Sequence, residues 1–393
     1  MIKRDITREL KQAHSEYPVV SIFGPRQSGK TTLVQMTFTS TPYFSLEDPD
    51  IRSASELDPR RFLSQMPDGG IIDEIQRVPQ LHSYIQGIVD KHNKPGFFIL
   101  TGSHQPELQN AISQSLAGRT AVLTLLPFSM NELKQFQSTW DPFQLMVTGT
   151  FPRIHDKDLK PLRFFNSYFQ TYIERDVRAL INIKDLSRFQ QFMRLLAGRI
   201  GHVINYTSLS NDIGVSSTTI KSWISVLKAS YVIYELPPFY ENVRKRVIKS
   251  PKIYFTDTGL ASYLLGISTP EQLKRDPLRG GLFENFIILE FIKAAWNKGV
   301  QPHFHFYRDS HGTEVDLLIP QGRKFIPIEI KSAETFNKDF LKGIIHFKKL
   351  IPDRCSNGLV IYNGENSFHI NDIEVKNPFK IKSFWNTMLH LTV

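Results

Sequence analysis

One cysteine, Cys355, stands in 393 residues, so no internal disulfide framework is possible and a reducing compartment suits the chain. Cys355 reads as a small packing or surface residue and receives no catalytic role. No apolar run is long enough to cross a bilayer, and no membrane partner is expected. Internal repeats and low-complexity tracts are also absent, which sets aside solenoid architectures and long disordered tails. Met1 to Tyr17 reads as a charged helix without the apolar heart of a secretion signal, so the expected address is the cytoplasm. What the chain has in excess is positive charge, with a formal net charge of +10 and a pI near 9.4. Such a balance favours a polyanionic partner, nucleic acid before anionic lipid. A hydrophobic fraction of 41% and a charged fraction of 22% are ordinary for a globular protein, and the length allows two or three domains.

The first third alternates short apolar runs with helical patterns. Val19 to Phe23, Gly70 to Ile75, Phe97 to Thr101 and Leu123 to Leu126 read as strands, and Lys30 to Phe38 as a helix. Strands spaced by helices predict a parallel α/β sheet covered on both faces. Between the first strand and the first helix lies Gly24-Pro25-Arg26-Gln27-Ser28-Gly29-Lys30-Thr31, followed by Thr32. This matches the P-loop pattern in full and in the strand–loop–helix setting that gives the pattern meaning. The glycines let the backbone curl until its N–H groups face phosphates, and the following helix presents its positive end. Lys30 would neutralise the β- and γ-phosphates, and Thr31 would hold Mg²⁺ through its hydroxyl. The expected ligand is ATP with magnesium, and no other small-molecule cofactor is expected. Ile71-Ile72-Asp73-Glu74 ends a second strand in two carboxylates. Asp73 would reach the magnesium through water and Glu74 would polarise the attacking water; a solvated strand end is the alternative. Thr101 or Ser103, ending the Phe-Phe-Ile-Leu-Thr-Gly-Ser strand, could sense the γ-phosphate or merely cap the strand.

Together with Leu116-Ala117-Gly118-Arg119, these motifs resemble the AAA-type ATPases of bacteria and archaea. Within that superfamily the chain resembles the group that carries a C-terminal domain of unknown function. In that group a stretch similar to Tyr172-Ile173-Glu174-Arg175-Asp176 follows the ATPase core. The resemblance implies an arginine that contacts the γ-phosphate, in cis or from a neighbouring copy in a homo-oligomer. Arg119 is the candidate, with Arg77 and Arg175 as rivals.

Further on, Leu162 to about Ile200 is helical in pattern and rich in aromatic residues. Tyr206 to Ile213, Gly214-Val215-Ser216 and Ser217 to Lys228 read as helix, turn and helix. Glycine in the turn can take positive φ at a helix end. Ile220, Trp223, Ile224 and Leu227 fall on the buried face of the second helix, leaving Ser217, Thr218, Lys221 and Ser222 outward as in a recognition helix. Tyr231 to Phe255 reads as a two-stranded ribbon, a wing whose basic residues Arg244, Lys245, Arg246, Lys249 and Lys252 could neutralise DNA phosphates. A packing or oligomerisation module is the alternative.

After a linker at Ser268 to Gly281, a helix from Leu282 to Trp296 opens a last module. Glu314 to Ile319 and Phe325 to Lys331 form a hairpin turning at Gly322-Arg323. Asp316 and Glu329 are equidistant from that turn, so they oppose each other on one face with Lys331 beside them. Opposed carboxylates repel unless a proton or cation lies between them, and Mg²⁺ or Mn²⁺ prefers such oxygens. With Glu284 on the preceding helix, the set resembles the PD-(D/E)XK nuclease fold, although Val315 stands where that pattern has proline. The resemblance implies metal held by Glu284, Asp316 and Glu329, and metal-assisted phosphodiester hydrolysis aided by Lys331. A fold kept for structure or nucleic-acid binding is the alternative. His303, His305 and His311 lie nearby and read as surface residues.

The expected architecture is an AAA-type P-loop core (residues 1–140), a helical connector (141–200), a winged helix-turn-helix (201–267) and a restriction-endonuclease-like α/β domain (268–393). The expected function is a Mg²⁺-dependent ATPase whose nucleotide state controls DNA engagement, with cleavage as an extension. A nucleotide-regulated protein scaffold and a ring-forming DNA motor are the competing readings.

Overall fold

The structure is a computed structural model that describes residues 2–92, 94–103, 116–177, 185–239 and 250–381, with the side chains of residues 174–176 outside the described set. It divides into two compact units. The first comprises residues up to 128 with 229–231 and 296–299; the second comprises 129–228, 232–295 and everything from 300 onward.

The first unit is built on strands β1 (Val19–Phe23), β2 (Tyr43–Ser45), β3 (Gly70–Asp73), β4 (Phe98–Gly102) and β5 (Thr120–Thr124). They form one parallel sheet in the order β2-β3-β4-β1-β5. Every residue of β1, β3 and β4 is buried, which is why those segments read as unbroken apolar runs rather than alternating ones. Period-two alternation still sorts them between two cores. Val19, Phe23, Ile72 and Leu100 pack with Phe62, Ile85 and Val89, while Val20, Ile22, Ile71 and Ile99 pack with Leu10, Leu33 and Val34. The chain leaves β1 toward β2–β4 on one side and reaches β5 on the other. The carboxyl end of β1 is therefore the switch point at which such sheets bind ligands.

Two strand ends differ from expectation. β3 stops at Asp73 because Glu74 turns into the left-handed region (φ 58°) and starts the short turn Ile75–Arg77. β5 runs over Thr120–Thr124 rather than 123–126, since pairing with Val19 begins at Thr120. Its first half faces outward on an edge strand, so the apolar residues mark only its buried end and the residues beyond it.

The second unit begins with the short helix Met130–Leu133 and continues with helices at Pro142–Thr148, Pro152–Asp156, Pro161–Tyr168 and Leu186–Ala197. Next come helices Tyr206–Ile213 and Ser217–Ala229, and an antiparallel ribbon of β6 (Ile233–Leu236) and β7 (Lys252–Phe255). Gly214 takes φ 74° at the end of the first of these helices, as the turn requires. Ser216 Oγ accepts from Thr219 N at 3.0 Å to cap the second. The long helix Arg279–Trp296 then leads into a sheet ordered β12-β13-β11-β10-β9-β8. Its strands are β8 (His305–Arg308), β9 (Glu314–Gln321), β10 (Lys324–Lys331), β11 (Gly358–Tyr362), β12 (Phe368–Ile370) and β13 (Ile373–Lys376).

The segments expected as connector (141–200), winged helix-turn-helix (201–267) and last domain (268–393) lie, apart from residues 229–231 and 296–299, together in the second unit. Ser268 to Gly281 is not an open linker. Pro270 begins the helix Pro270–Arg275, capped by Thr269, a position where proline loses no hydrogen bond. Gly280 and Gly281 lie within the long helix, and a Cβ on Gly281 would come 2.9 Å from the Ile200 carbonyl oxygen. The glycine marks close packing. Asn285, one helical turn on, accepts from Phe255 N and donates to Phe255 O, both at 2.8 Å. Its amide thereby pairs with β7 as a neighbouring strand would.

Candidate functional site

The P-loop leaves β1 with Gly24 at φ 156°, where an added Cβ would lie 2.0 Å from the Leu125 carbonyl oxygen. Only glycine fits that approach. Gln27 (φ 63°) and Gly29 (φ 92°) complete the curl, and the helix starts at Lys30. Arg4 braces the loop from behind, donating to Ser28 O and Leu126 O at 2.7 Å each. Inside the curl, Lys30 Nζ donates to Gly24 O at 3.1 Å and Pro25 O at 2.9 Å. Burial pushes its pKa down, against the opposing pull of Glu74 and Asp73. The Ser28 hydroxyl is buried with no hydrogen-bond partner. A buried cation resting on its own loop and an orphaned hydroxyl fit a triphosphate, whose oxygens would satisfy both.

Thr31 Oγ1 donates to Asp73 Oδ2 at 2.8 Å across the gap between the helix and β3. Tyr43 OH, from β2, donates to the same oxygen at 2.7 Å, and Thr101 Oγ1, from β4, donates to Asp73 Oδ1. Burial and then the bond to Asp73 raise the Tyr43 pKa, so it stays a donor. Asp73 is thus held from three elements. Thr31 and Asp73 present the oxygen pair expected to hold Mg²⁺ directly and through water.

Glu74 stands beside this pair on a strained backbone, in a conformation costing about 1–3 kcal/mol for a residue with a side chain. Gln76 Nε2 donates to Glu74 Oε2 and, at 3.1 Å, to Ser103 Oγ. Ser103 is therefore tied to Glu74 through Gln76, a residue whose place here the sequence does not signal. Arg77 and Arg26 both face Glu47, at 2.8 Å and 3.9 Å, on the P-loop side of the sheet. Arg119 lies elsewhere. Val19 N donates to its carbonyl at 3.1 Å and its guanidinium pairs with Asp90, placing it at the amino ends of β1 and β5. A five-residue strand, about 16 Å at 3.3 Å per residue, separates it from the loop, so it cannot serve the same chain's nucleotide. The Arg175 side chain lies outside the described residues.

On the helix pair, Ile220, Trp223, Ile224 and Leu227 are buried as expected and Thr218, Lys221 and Ser222 are exposed, while Ser217, expected outward with them, is half-buried beside Ser210. Arg244, Lys245, Arg246 and Lys249 lie outside the described residues. Lys252 contradicts its expected place on a solvent-facing wing. It is 1% exposed and its ammonium points into the last module.

That module holds the hairpin in the expected register, with Ile328 facing Leu317 one step before Glu329 and Asp316. Lys331 Nζ lies 2.6 Å from Glu329 Oε2 and 3.1 Å from Asp316 Oδ2, which also accepts from Ile330 N at 2.8 Å. Glu284 reaches the same place from the long helix, accepting from Tyr254 OH at 2.6 Å and Lys252 Nζ at 2.9 Å. Lys252 also pairs with Glu314 and lies 3.9 Å from Asp316 Oδ1. Arg308 closes on Glu314 at 3.2 Å.

The electrostatics follow from this crowding. Burial outweighs Lys252 and pushes Glu284 up to about 7. Burial would raise Asp316 too, but Lys331, Lys252 and the Ile330 N–H hold it down to about 2. Burial and the Asp316 charge push Glu329 far up, against the opposing pull of Lys331. Burial works against both lysines, yet the surrounding carboxylates raise them above their ordinary value.

The metal set expected of Glu284, Asp316 and Glu329 is brought together, but not around an open centre. Among the described residues no group of three or more His, Cys, Asp or Glu side chains is arranged to hold a metal ion. Two ammonium groups stand at these oxygens instead, Lys252 beside Glu284 and Lys331 between Asp316 and Glu329. Sequence reasoning missed Lys252, Tyr254 and Glu314 as members of this cluster. Glu314 was within reach of the same period-two rule that found Asp316.

Comparison with known proteins agrees with the first unit and leaves the second open. Residues 16–134 match the family described as AAA domain, residues 139–271 a domain of unknown function (DUF8612) and residues 279–381 another (DUF4143). The chain is 29% identical over 382 residues to uncharacterized protein Rv2008c of Mycobacterium tuberculosis, covering 96% of this chain and 83% of that one. The same figures hold for uncharacterized protein Mb2031c of Mycobacterium bovis. Among solved structures, the Walker-type ATPase PABY2304 of Pyrococcus abyssi aligns at 16% identity and a TM-score of 0.42, over 67% of this chain and 96% of that one. AMPPCP-bound DnaA from Aquifex aeolicus aligns at 16% identity and a TM-score of 0.30, over 57% and 85%. The AAA-domain match and the geometry of the loop together support an AAA-type P-loop ATPase in residues 16–134. Among the described residues no helix is long and apolar enough to cross a membrane.

Proposed function

We propose that the chain binds and hydrolyses ATP with magnesium at the P-loop, and that its nucleotide state governs how the helix-turn-helix and ribbon, read as a winged helix, engage DNA. The carrying observation is the Thr31–Asp73 contact at 2.8 Å beside a buried Lys30 that rests on its own loop. Gly24 to Thr32 would hold the nucleotide, with Lys30 leaving its carbonyl partners for the β- and γ-phosphates. Thr31 and Asp73 would hold the magnesium, which when bound neutralises charge on the phosphates. Glu74 orients the attacking water and takes its proton, while Gln76 and Ser103 fix the direction of that carboxylate. Arg119 can act only from a second copy of the chain, so completion of the site by a homo-oligomer belongs to the same proposal.

Engagement of DNA rests on the exposed Thr218, Lys221 and Ser222 and on the net charge of +10. Metal-assisted cleavage by the C-terminal carboxylates does not fit a set already paired with Lys252 and Lys331. The occupied cluster favours the scaffold reading for that module: a nuclease-like fold kept for binding. The test is ATP turnover with and without duplex and single-stranded DNA, for wild type and Lys30→Ala. Turnover that depends on Lys30 and responds to DNA supports the proposal. Turnover and electrophoretic mobility both indifferent to DNA would remove the DNA half, and indifference to Lys30 would remove the whole.

A further inference from the structure

The buried charge cluster of the second unit holds a cation supplied by the ribbon. Lys252 is fixed at its backbone on both sides, paired with Leu236 across the ribbon and bridged to Val203. Its side chain has no solvent exit, being 1% exposed. The ammonium lies 2.9 Å from Glu284, 3.9 Å from Asp316 and against Glu314, with Tyr254 from the same strand donating to Glu284. A divalent ion drawing on these carboxylates would need about 2.0–2.6 Å to each oxygen it binds; between Glu284 and Glu314 it would compete for the place of the nitrogen, with Asp316 at the margin of that place. Two cations cannot share the place.

We propose that Lys252 is a built-in substitute for a divalent cation: its ammonium fills the coordination centre of Glu284, Glu314 and Asp316 and keeps the C-terminal module metal-free and inert toward phosphodiesters. An internal cation differs from a bound one in what it can do. It satisfies the carboxylates and joins the ribbon to the last module, but it carries no water to activate and has no open position for a phosphate oxygen. Lys331, which the nuclease-like pattern would use on a hydroxide, is committed to Asp316 and Glu329 instead. This deepens the scaffold reading of that module and does not involve the P-loop.

The test is a calorimetric titration of the full chain with Mn²⁺ in the absence of nucleotide, which leaves the ATPase proposal untouched whatever the result. Wild type should bind no Mn²⁺ that depends on Asp316, and Lys252→Met should gain one equivalent that is lost again in Lys252→Met/Asp316→Asn. Because an uncompensated carboxylate cluster can unfold the chain, Lys252→Met/Glu314→Gln, which removes one charge of each sign, is titrated alongside. A gain of one equivalent in either variant supports the assignment. One equivalent bound by wild type and abolished by Asp316→Asn overturns it, as does failure of both variants to gain a site. Supercoiled plasmid incubated with wild type and Mn²⁺ should stay intact, and nicking that Asp316→Asn abolishes would also overturn it.

Discussion

Replacing Lys30 with methionine separates what the P-loop does for stability from what it does for binding. Lys30 is 5% exposed, and its ammonium donates to Gly24 O and Pro25 O. Losing two charge-assisted bonds costs about 1.5–3 kcal/mol each. Against that, methionine fills nearly the same volume without holding a charge out of water, a penalty of several kcal/mol. Burial already pushes the Lys30 pKa down, so the two effects nearly offset. The ligand-free Tm is therefore expected to move by less than about 4 °C, corresponding to roughly 1 kcal/mol. Nucleotide changes the balance. At a hundredfold excess over Kd, ATP stabilises the folded form by about 2.7 kcal/mol, roughly 10 °C for a unit of this size. Wild type should show that rise with ATP and Mg²⁺ by differential scanning calorimetry, and Lys30→Met should show none. A variant that keeps half or more of the ATP-dependent rise would refute the assignment. A ligand-free Tm lowered by more than about 10 °C would show that the loop carbonyls, not phosphates, are the partners the ammonium is built for.

Glu74→Gln should retain nucleotide binding and lower kcat by about 10²–10⁴, the usual contribution of a general base; turnover equal to wild type removes Glu74 from the chemistry. The Glu284 carboxyl, pushed by burial from 4.5 up to about 7, is protonated in the folded state over a range where the unfolded chain has lost that proton. Stability should thus be greatest below pH 4.5 for this group and decline as pH rises to about 7. Glu284→Gln should flatten that slope in a Tm series between pH 5 and 8, and an unchanged slope assigns the effect elsewhere. Neutralising Arg244, Lys245, Arg246 and Lys249 should lower the salt dependence of DNA binding by about 0.9 in log–log slope for each phosphate that they had neutralised. An unaltered slope across two salt concentrations would take those residues off the DNA.

The nucleotide site was legible because its geometry is local. A strand, a curled loop and a helix follow one another within Val19 to Thr37, and Asp73 adds one partner from a strand recognisable by its own apolar run. The hairpin register was legible for the same reason: counting from Gly322 pairs Asp316 with Glu329 without knowledge of the rest. What sequence order hides is contact between distant segments. Lys252 read as one more basic residue of a wing, since nothing nearby shows that Glu284 and Glu314 wait across the unit. Arg119 is a candidate by resemblance alone, and only the strand direction shows that it lies at the amino ends of β1 and β5, away from the loop. Proline and glycine between Ser268 and Gly281 suggested a break. Pro270 opens a helix and Gly281 permits close packing, uses identical in composition to a linker.

The pairing of the Asn285 amide with both backbone groups of Phe255 bears on how this protein can be taken apart. A fragment ending after the ribbon would keep the Val203 bridge along the outer edge of β7 but would uncover the N–H and carbonyl of Phe255 and the Lys252 ammonium that the long helix and last sheet had covered. Such a piece would be prone to self-association through that edge, and weak DNA binding by it would report the cut, not the domain. Dissection should keep residues 129–381 together and ask its questions by substitution.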